Sequence, residues 1–233
     1  MIYSMIFYSA VLTTDSLIFG KDIHKIIMSA VDNSDLDKLS PRADAQILFR
    51  VIDSYKVPGK TPTMFCTKIL VQTADHISLS SSDKISFTKI DVPENGKSFD
   101  CMMSALHTPM VDLSDGQKQA LEHMGVSPIP KKRSTRKKVA FIDDKDFIAS
   151  KIQDMFMRKG LVVENIVLYP SPDSHSDFVF YHRFSSRKSL PVVSFSVDFD
   201  YANSSKESVE KVLCQGVGKG KNYGLGMLVP KIK

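Results

Sequence analysis

The chain has 233 residues, enough for one large domain or two small ones, and an apolar fraction of 42% with 24% charged residues is ordinary for a soluble globular protein. Its three cysteines (Cys66, Cys101 and Cys214) form no CxxC pair, which argues against a disulfide framework or a zinc site and fits a reducing cytoplasm. The net charge of +5 is modest but unevenly spread: six of the eight residues from Lys131 to Lys138 are cations, and Lys211 to Lys233 holds five lysines and no acid. Charge concentrated in this way is the electrostatic footprint of a polyanion partner, with a solvated loop as the plainer alternative.

The apolar start, Met1 to Leu12, lacks a basic flank, is interrupted by Ser4 and Ser9, and is too short to span a membrane. Rich in Ile, Tyr, Phe and Val, Ile2 to Leu12 reads instead as a largely buried strand, ended by Thr13-Thr14-Asp15-Ser16. From Gly20 a helix is expected, because Ile23, Ile26, Ile27, Ala30 and Val31 recur at helical spacing. His24 falls on the edge of that apolar stripe, with Lys21 one turn before it, so the helix holds a histidine at the border of core and solvent. Gln46 to Asp53 and Thr63 to Gln72 read as strands parted by the breaker Val57-Pro58-Gly59-Lys60, and Ile85 to Asp91 as a fourth strand before a boundary at Pro93-Glu-Asn-Gly96. Residues 1–95 thus spell most of a ferredoxin-like βαββαβ unit.

Residues 96–233 repeat the pattern with an insertion. Ser98 to His107 is a strand candidate, followed by a polar stretch, the basic run and a short apolar segment, Lys138 to Ile142. Asp143, Asp144 and Asp146 open a helix with the acidic first turn that the macrodipole favours; Phe147, Ile148, Ile152, Met155 and Phe156 form its inner face and Gly160 closes it. Leu161 to Tyr169, Phe178 to Phe184 and Val192 to Phe199 read as strands. Ser204-Ser-Lys-Glu207 is a capping-box pattern for a last helix with Val209, Val212 and Leu213 inward, and Leu225 to Val229 is the closing strand. The expected fold class is α+β, two tandem ferredoxin-like (RRM-like) domains.

Between that helix and strand lies Gly216-Val-Gly-Lys-Gly-Lys-Asn-Tyr-Gly-Leu-Gly226, which holds five of the protein's eleven glycines: Gly216, Gly218, Gly220, Gly224 and Gly226. Glycine permits positive φ and close backbone approach, so the segment is a tight loop built to lie against something. With Lys219, Lys221, Asn222 and Tyr223 as the only sizeable side chains between Gly218 and Gly224, it suits either a phosphate chain or a plain glycine-rich turn. It follows a helix, unlike a dinucleotide-binding fingerprint, and lacks the Gly-Lys-Ser/Thr ending of a Walker loop.

A Gly-x-Gly, five residues and a second Gly-x-Gly between a final helix and a final strand resembles the signature of the repeat-associated RNA-processing superfamily of CRISPR systems. Lys21-Asp-Ile-His-Lys-Ile-Ile-Met-Ser-Ala-Val31 is similar to the first helix of the endoribonuclease of type I-E Cascade complexes. Ile47-Leu-Phe-Arg-Val51, Ile69-Leu-Val-Gln72 and Lys137-Lys-Val-Ala-Phe141 resemble later segments of that family, in order.

The resemblance implies an endoribonuclease that needs no metal or cofactor and cuts precursor CRISPR RNA beside a repeat hairpin. By 2′-OH attack it leaves a cyclic 2′,3′-phosphate or 3′-phosphate and a 5′-OH, and it stays on the crRNA hairpin among the other Cascade subunits. His24 matches the family's catalytic histidine, and an ordinary pKa near 6.5 suits proton transfer at neutral pH. Many relatives carry tyrosine where this chain has Lys21, which could stabilise developing charge or hold the scissile phosphate but could not act as a neutral phenol.

The family also places cations on a hairpin of the second half. Strand alternation puts His182 and Phe184 opposite Arg183, and Arg183 is the favoured contact to the scissile phosphate. Lys131, Lys132, Arg133, Arg136, Lys137 and Lys138 read as a phosphate-binding arm, with Arg187, Lys188, Lys219 and Lys221 as further RNA contacts. One alternative is a non-catalytic crRNA-binding subunit of the same superfamily. Another, a ribosomal or RRM-type single-strand binder, is disfavoured for want of an RNP-like aromatic run.

Overall fold

The computed structural model describes residues 5–32, 47–75, 77–90, 97–105, 119, 123, 142–172, 176–186 and 188–231. These form two antiparallel sheets, each partly covered by helix. The first is built from β1 (Met5–Thr14), β2 (Ile47–Lys56), β3 (Phe65–Ala74) and β4 (Ile85–Ile90), in the order β2-β3-β1-β4. Helix α1 (Gly20–Ser29) joins β1 to β2, leaving room for β3 between them. Its spaced isoleucines work as the periodicity requires: Ile23 and Ile27 are buried against Ala10, Leu12, Phe49, Ile69 and Val71. Among the described residues no helix lies between β3 and β4; buried Ile77 and an isolated bridge from Val31 to Leu79 fill that place.

The second sheet has the order β6-β8-β5-β9, from β5 (Ser98–Ser104), β6 (Val162–Leu168), β8 (Lys188–Asp200) and β9 (Leu228–Pro230). A further strand, β7 (Val179–Ser185), pairs with the first half of β8, while β6 pairs with its second half. Because β5 occupies the other edge of β8 over Val192 to Asp198, β6 and β7 must lie end to end on one edge. The tip of the β7–β8 hairpin therefore runs on past β6 and past the end of β5, as a two-stranded ribbon.

Helices α2 (Lys145–Met157) and α3 (Lys206–Gln215) complete this half. Phe156 meets Phe195 and Phe199 edge-on at 6.4 and 5.0 Å in the core beneath α2, an arrangement that aromatic quadrupoles favour. Asp144 caps α2 by accepting from the Phe147 N–H at 2.7 Å, and Gly160 at φ +77° ends it, with Leu161 N–H reaching back to the Phe156 carbonyl at 3.1 Å.

Two expectations need correction. The cap of α3 is Ser205, which accepts from the Ser208 N–H at 3.4 Å; the Ser204 hydroxyl instead accepts from Val162 N–H at 2.9 Å and so ties the turn to β6. The closing strand begins at Leu228, not Leu225, because positive φ at Gly224 and Gly226 bars extended pairing before it. The basic run 131–138, Arg187, most of the segment Lys138 to Ile142 and the boundary at 95–96 lie outside the described residues. Among the described residues no helix is long and apolar enough to cross a membrane.

The two halves share a core. Phe7 and Leu48, on the face of the first sheet opposite α1, pack against Met227, with Leu70 and Val229 beside them. The Gln72 amide donates to the Leu213 carbonyl at the end of α3, at 2.7 Å. The foot of the β7–β8 hairpin is held separately. Asp143 accepts from the Ser176 hydroxyl and from the N–H groups of Asp177, Phe178 and Val179, at 2.5–3.1 Å. Hydrogen bonds to a charged acceptor are worth more than neutral ones, so Asp143→Ala should lower unfolding free energy by about 2–3 kcal/mol in urea titration. A change below about 0.5 kcal/mol would show that the foot holds without it.

Candidate active site

The glycine loop closes on itself before it meets anything else. All five of its glycines have positive φ, from +66° to +89°. Val217 N–H donates to the Gly226 carbonyl at 2.8 Å, drawing the two ends of the loop together around a 3-10 turn, Lys221–Tyr223. The approach is so close that a Cβ on Gly226 would lie 2.0 Å from the Val217 oxygen and one on Gly216 2.6 Å from the Gly226 oxygen. Outward, the loop covers β2: a Cβ on Gly224 would stand 3.1 Å from the Phe49 ring, and one on Gly216 3.0 Å from Leu48.

The loop also meets the start of α1. There is no side chain on Gly20, and the Tyr223 carbonyl fills the space: a Cβ would be 2.6 Å from its oxygen. Phe19, before Gly20, has extended backbone and gives α1 no side-chain cap; its carbonyl accepts from the Asp22 and Ile23 N–H groups at 2.8 and 2.9 Å, and Asp22 places an acid in the first turn. Lys21 is exposed in the first turn. His24, one turn further on, is half-buried, its ring tilted against that of Phe49 with centroids 6.2 Å apart. Burial holds its pKa below the ordinary 6.5, so at neutral pH the imidazole is largely uncharged and able to accept a proton.

The third contributor is β7. Arg183 is exposed, with its guanidinium carbon 5.0 Å from the centroid of the Phe19 ring and Nη2 donating to the Ser186 carbonyl at 2.7 Å. Next to it, where the register with β8 shifts, Phe184 packs on the Tyr223 ring at 4.6 Å, and half-buried His182 hydrogen-bonds to the Tyr223 backbone. Arg183, distant in sequence, is thus brought to the first turns of the helix that carries Lys21 and His24.

The loop's lysines are placed differently. Lys219 is exposed, whereas Lys221 is half-buried, its pKa pushed down by burial and by Lys159 at the end of α2, so Lys221 lies toward α2. The Tyr223 ring is occupied by Phe184. Lys188 begins β8, and its side chain is outside the described residues. Among those residues no group of three His, Cys, Asp or Glu side chains could hold a metal ion.

Sequence reasoning missed Arg50. It sits half-buried on β2, close enough for its charge to act on both His182 and Cys101. The available signal was a cation inside the otherwise apolar run Ile47 to Val51. It also missed Phe19 and His182, whose roles arise only from contact between the two halves.

No family model and no curated protein matches the sequence. Solved structures do match. A CRISPR endoribonuclease Cse3 bound to a 19-nucleotide RNA is similar over 98% of this chain and 100% of its own, with a TM-score of 0.56 and 14% identity. Cas6e from Escherichia coli str. K-12 gives 97% and 100%, a TM-score of 0.56 and 13% identity. The chain shares their fold. Thermus thermophilus Cse3, bound to an RNA representing a pre-cleavage complex, is similar over 99% of this chain and 100% of its own, with a TM-score of 0.50 and 14% identity. The tandem ferredoxin-like architecture expected from the sequence is therefore the one present.

Two measurements check the site's construction. Gly226→Ala should cost at least about 2 kcal/mol of stability, because strain at positive φ is joined by a backbone clash, whereas Gly218→Ala should cost about 1 kcal/mol, its Cβ meeting nothing nearer than Met103 at 3.7 Å. Equal losses would contradict the interlock. In an NMR titration His24 should have its midpoint below 6.5, and Phe49→Leu should raise it by admitting water. A midpoint at or above 6.5 in the unaltered protein would contradict the desolvated ring.

Proposed function

We propose that the chain is a metal-independent endoribonuclease that cuts precursor CRISPR RNA at the repeat hairpin and stays on the product as a Cascade subunit. The observation that carries this reading is the convergence of His24, Lys21 and Arg183 at the start of α1, in a chain with the fold of CRISPR endoribonucleases. The neighbours' own RNA complexes support RNA as the ligand class.

The chemistry follows from the groups present. His24, uncharged at neutral pH, accepts the proton of the ribose 2′-OH. The 2′-oxygen attacks the adjacent phosphorus, and the bond from phosphorus to the 5′-oxygen breaks. A cyclic 2′,3′-phosphate remains on one fragment, and the 5′-oxygen leaves as a hydroxyl once protonated; the imidazolium formed from His24 is an acid able to supply that proton. Charge growing on the phosphorane oxygens is met by Arg183 and Lys21. As base, His24 must be deprotonated, so the rate falls as pH drops through its lowered pKa. The arm Lys131 to Lys138, with Arg187, Lys188 and Lys219, supplies phosphate contacts along the hairpin.

Lys21, standing where relatives have tyrosine, favours a second reading as a crRNA-binding subunit without catalysis. Single-turnover cleavage of the cognate repeat RNA in EDTA separates the two. The wild-type chain should cut, His24→Ala should be about 10²–10⁴-fold slower, and a substrate with a 2′-deoxy sugar at the cleaved position should bind but stay whole. Full-rate cutting by the variant would remove His24 from the mechanism, and binding without any cutting by the wild type would establish the second reading.

A further inference from the structure

The hairpin that carries Arg183 is the least supported part of the site. Beyond the end of β6, β8 is the only strand that pairs with β7 among the described residues, and an isolated two-stranded ribbon is marginally stable in water. Its foot is fixed by Asp143, but the residues near its tip need a second restraint if a guanidinium is to be held to within an ångström.

The contacts of Tyr223 supply one. His182 hydrogen-bonds to the Tyr223 backbone in a way that favours the protonated ring, so an imidazole N–H donates and the carbonyl oxygen accepts. That oxygen is the one lodged against Gly20 at the start of α1. Two residues further along β7, Phe184 packs on the Tyr223 ring. One residue of the glycine loop is therefore gripped by both its backbone and its side chain. Arg183 lies between the gripping residues and projects from the opposite face of the strand, onto Phe19. Strand alternation turns His182 away from the face that Arg183 presents, which argues against its own contact with substrate. Burial and the nearby Arg50 keep its ring uncharged, so its single N–H is committed to the carbonyl.

We infer that His182 is a positioning residue: its hydrogen bond to the Tyr223 carbonyl locks the β7–β8 hairpin onto the glycine loop and the start of α1, and it affects cleavage only through the placement of Arg183. This rests on the endoribonuclease reading, and the test has one arm that does not.

In single-turnover cleavage at saturating repeat RNA, His182→Phe, which keeps a ring and removes the N–H, should be about 10–100-fold slower, with affinity for RNA within about threefold of wild type. His182→Gln should recover most of the rate, since its amide offers an N–H again. The double variant His182→Phe, Arg183→Ala should be no slower than Arg183→Ala alone, because the lock has nothing left to position. Multiplicative losses, or an unslowed His182→Phe, would overturn the inference. A wild-type rate for Arg183→Ala would overturn it together with the assigned role of Arg183. The independent arm is hydrogen exchange: amides of β7 should exchange at least about tenfold faster in His182→Phe than in wild type and remain protected in Arg183→Ala. Unchanged protection in His182→Phe would refute the lock even if the chain cuts no RNA.

Discussion

One close approach governs this site: the carbonyl of Tyr223 against the bare Cα of Gly20. A side chain at Gly20 would collide with that oxygen, and a Cβ at Gly226 or Gly216 would force open the loop that carries it. The glycines act as a set of clearances, letting one backbone segment of the second half dock onto the first turn of a helix in the first. Everything that gathers there depends on this docking. Phe49, which desolvates His24 from one side, is covered by the same loop from the other.

This gives the glycine loop a different meaning from the one its composition suggests. Two lysines and a tyrosine on bare backbone look like a cradle for phosphate. In the folded protein the tyrosine ring packs on Phe184, Lys221 is half-buried toward α2, and the backbone is consumed by self-closure. The loop is a structural keystone, and the cation beside the histidine's helix is Arg183, delivered by a hairpin from another part of the chain. The proposed reaction thus draws its proton acceptor, His24, and its guanidinium, Arg183, from outside the loop itself.

Much of the architecture was legible in advance because its signals are local. The isoleucines of α1, the acidic opening and glycine stop of α2, and the apolar runs of β1, β3 and β8 each bury a face that their spacing defines. The failures arise where a local signal is ambiguous and something else decides. Ser204 and Ser205 are equivalent as sequence signals for a cap, and only the demand of Val162 N–H for a partner assigns Ser204 elsewhere. Leu225 to Met227 look like strand, and only the φ angles of Gly224 and Gly226 show that they are not.

By itself the sequence determined the elements, their order and the position of His24 on a helix edge, since each follows from periodicity within a few turns of chain. It also determined that Arg183 and His182 lie on opposite faces of one strand, because alternation needs no tertiary information. Only the tertiary structure decided which residues share a site. Phe19, Gly20, His182 and Tyr223 carry no mark of partnership in the sequence, for their interactions cross between about 40 and about 200 positions of chain and depend on how closely the backbones approach.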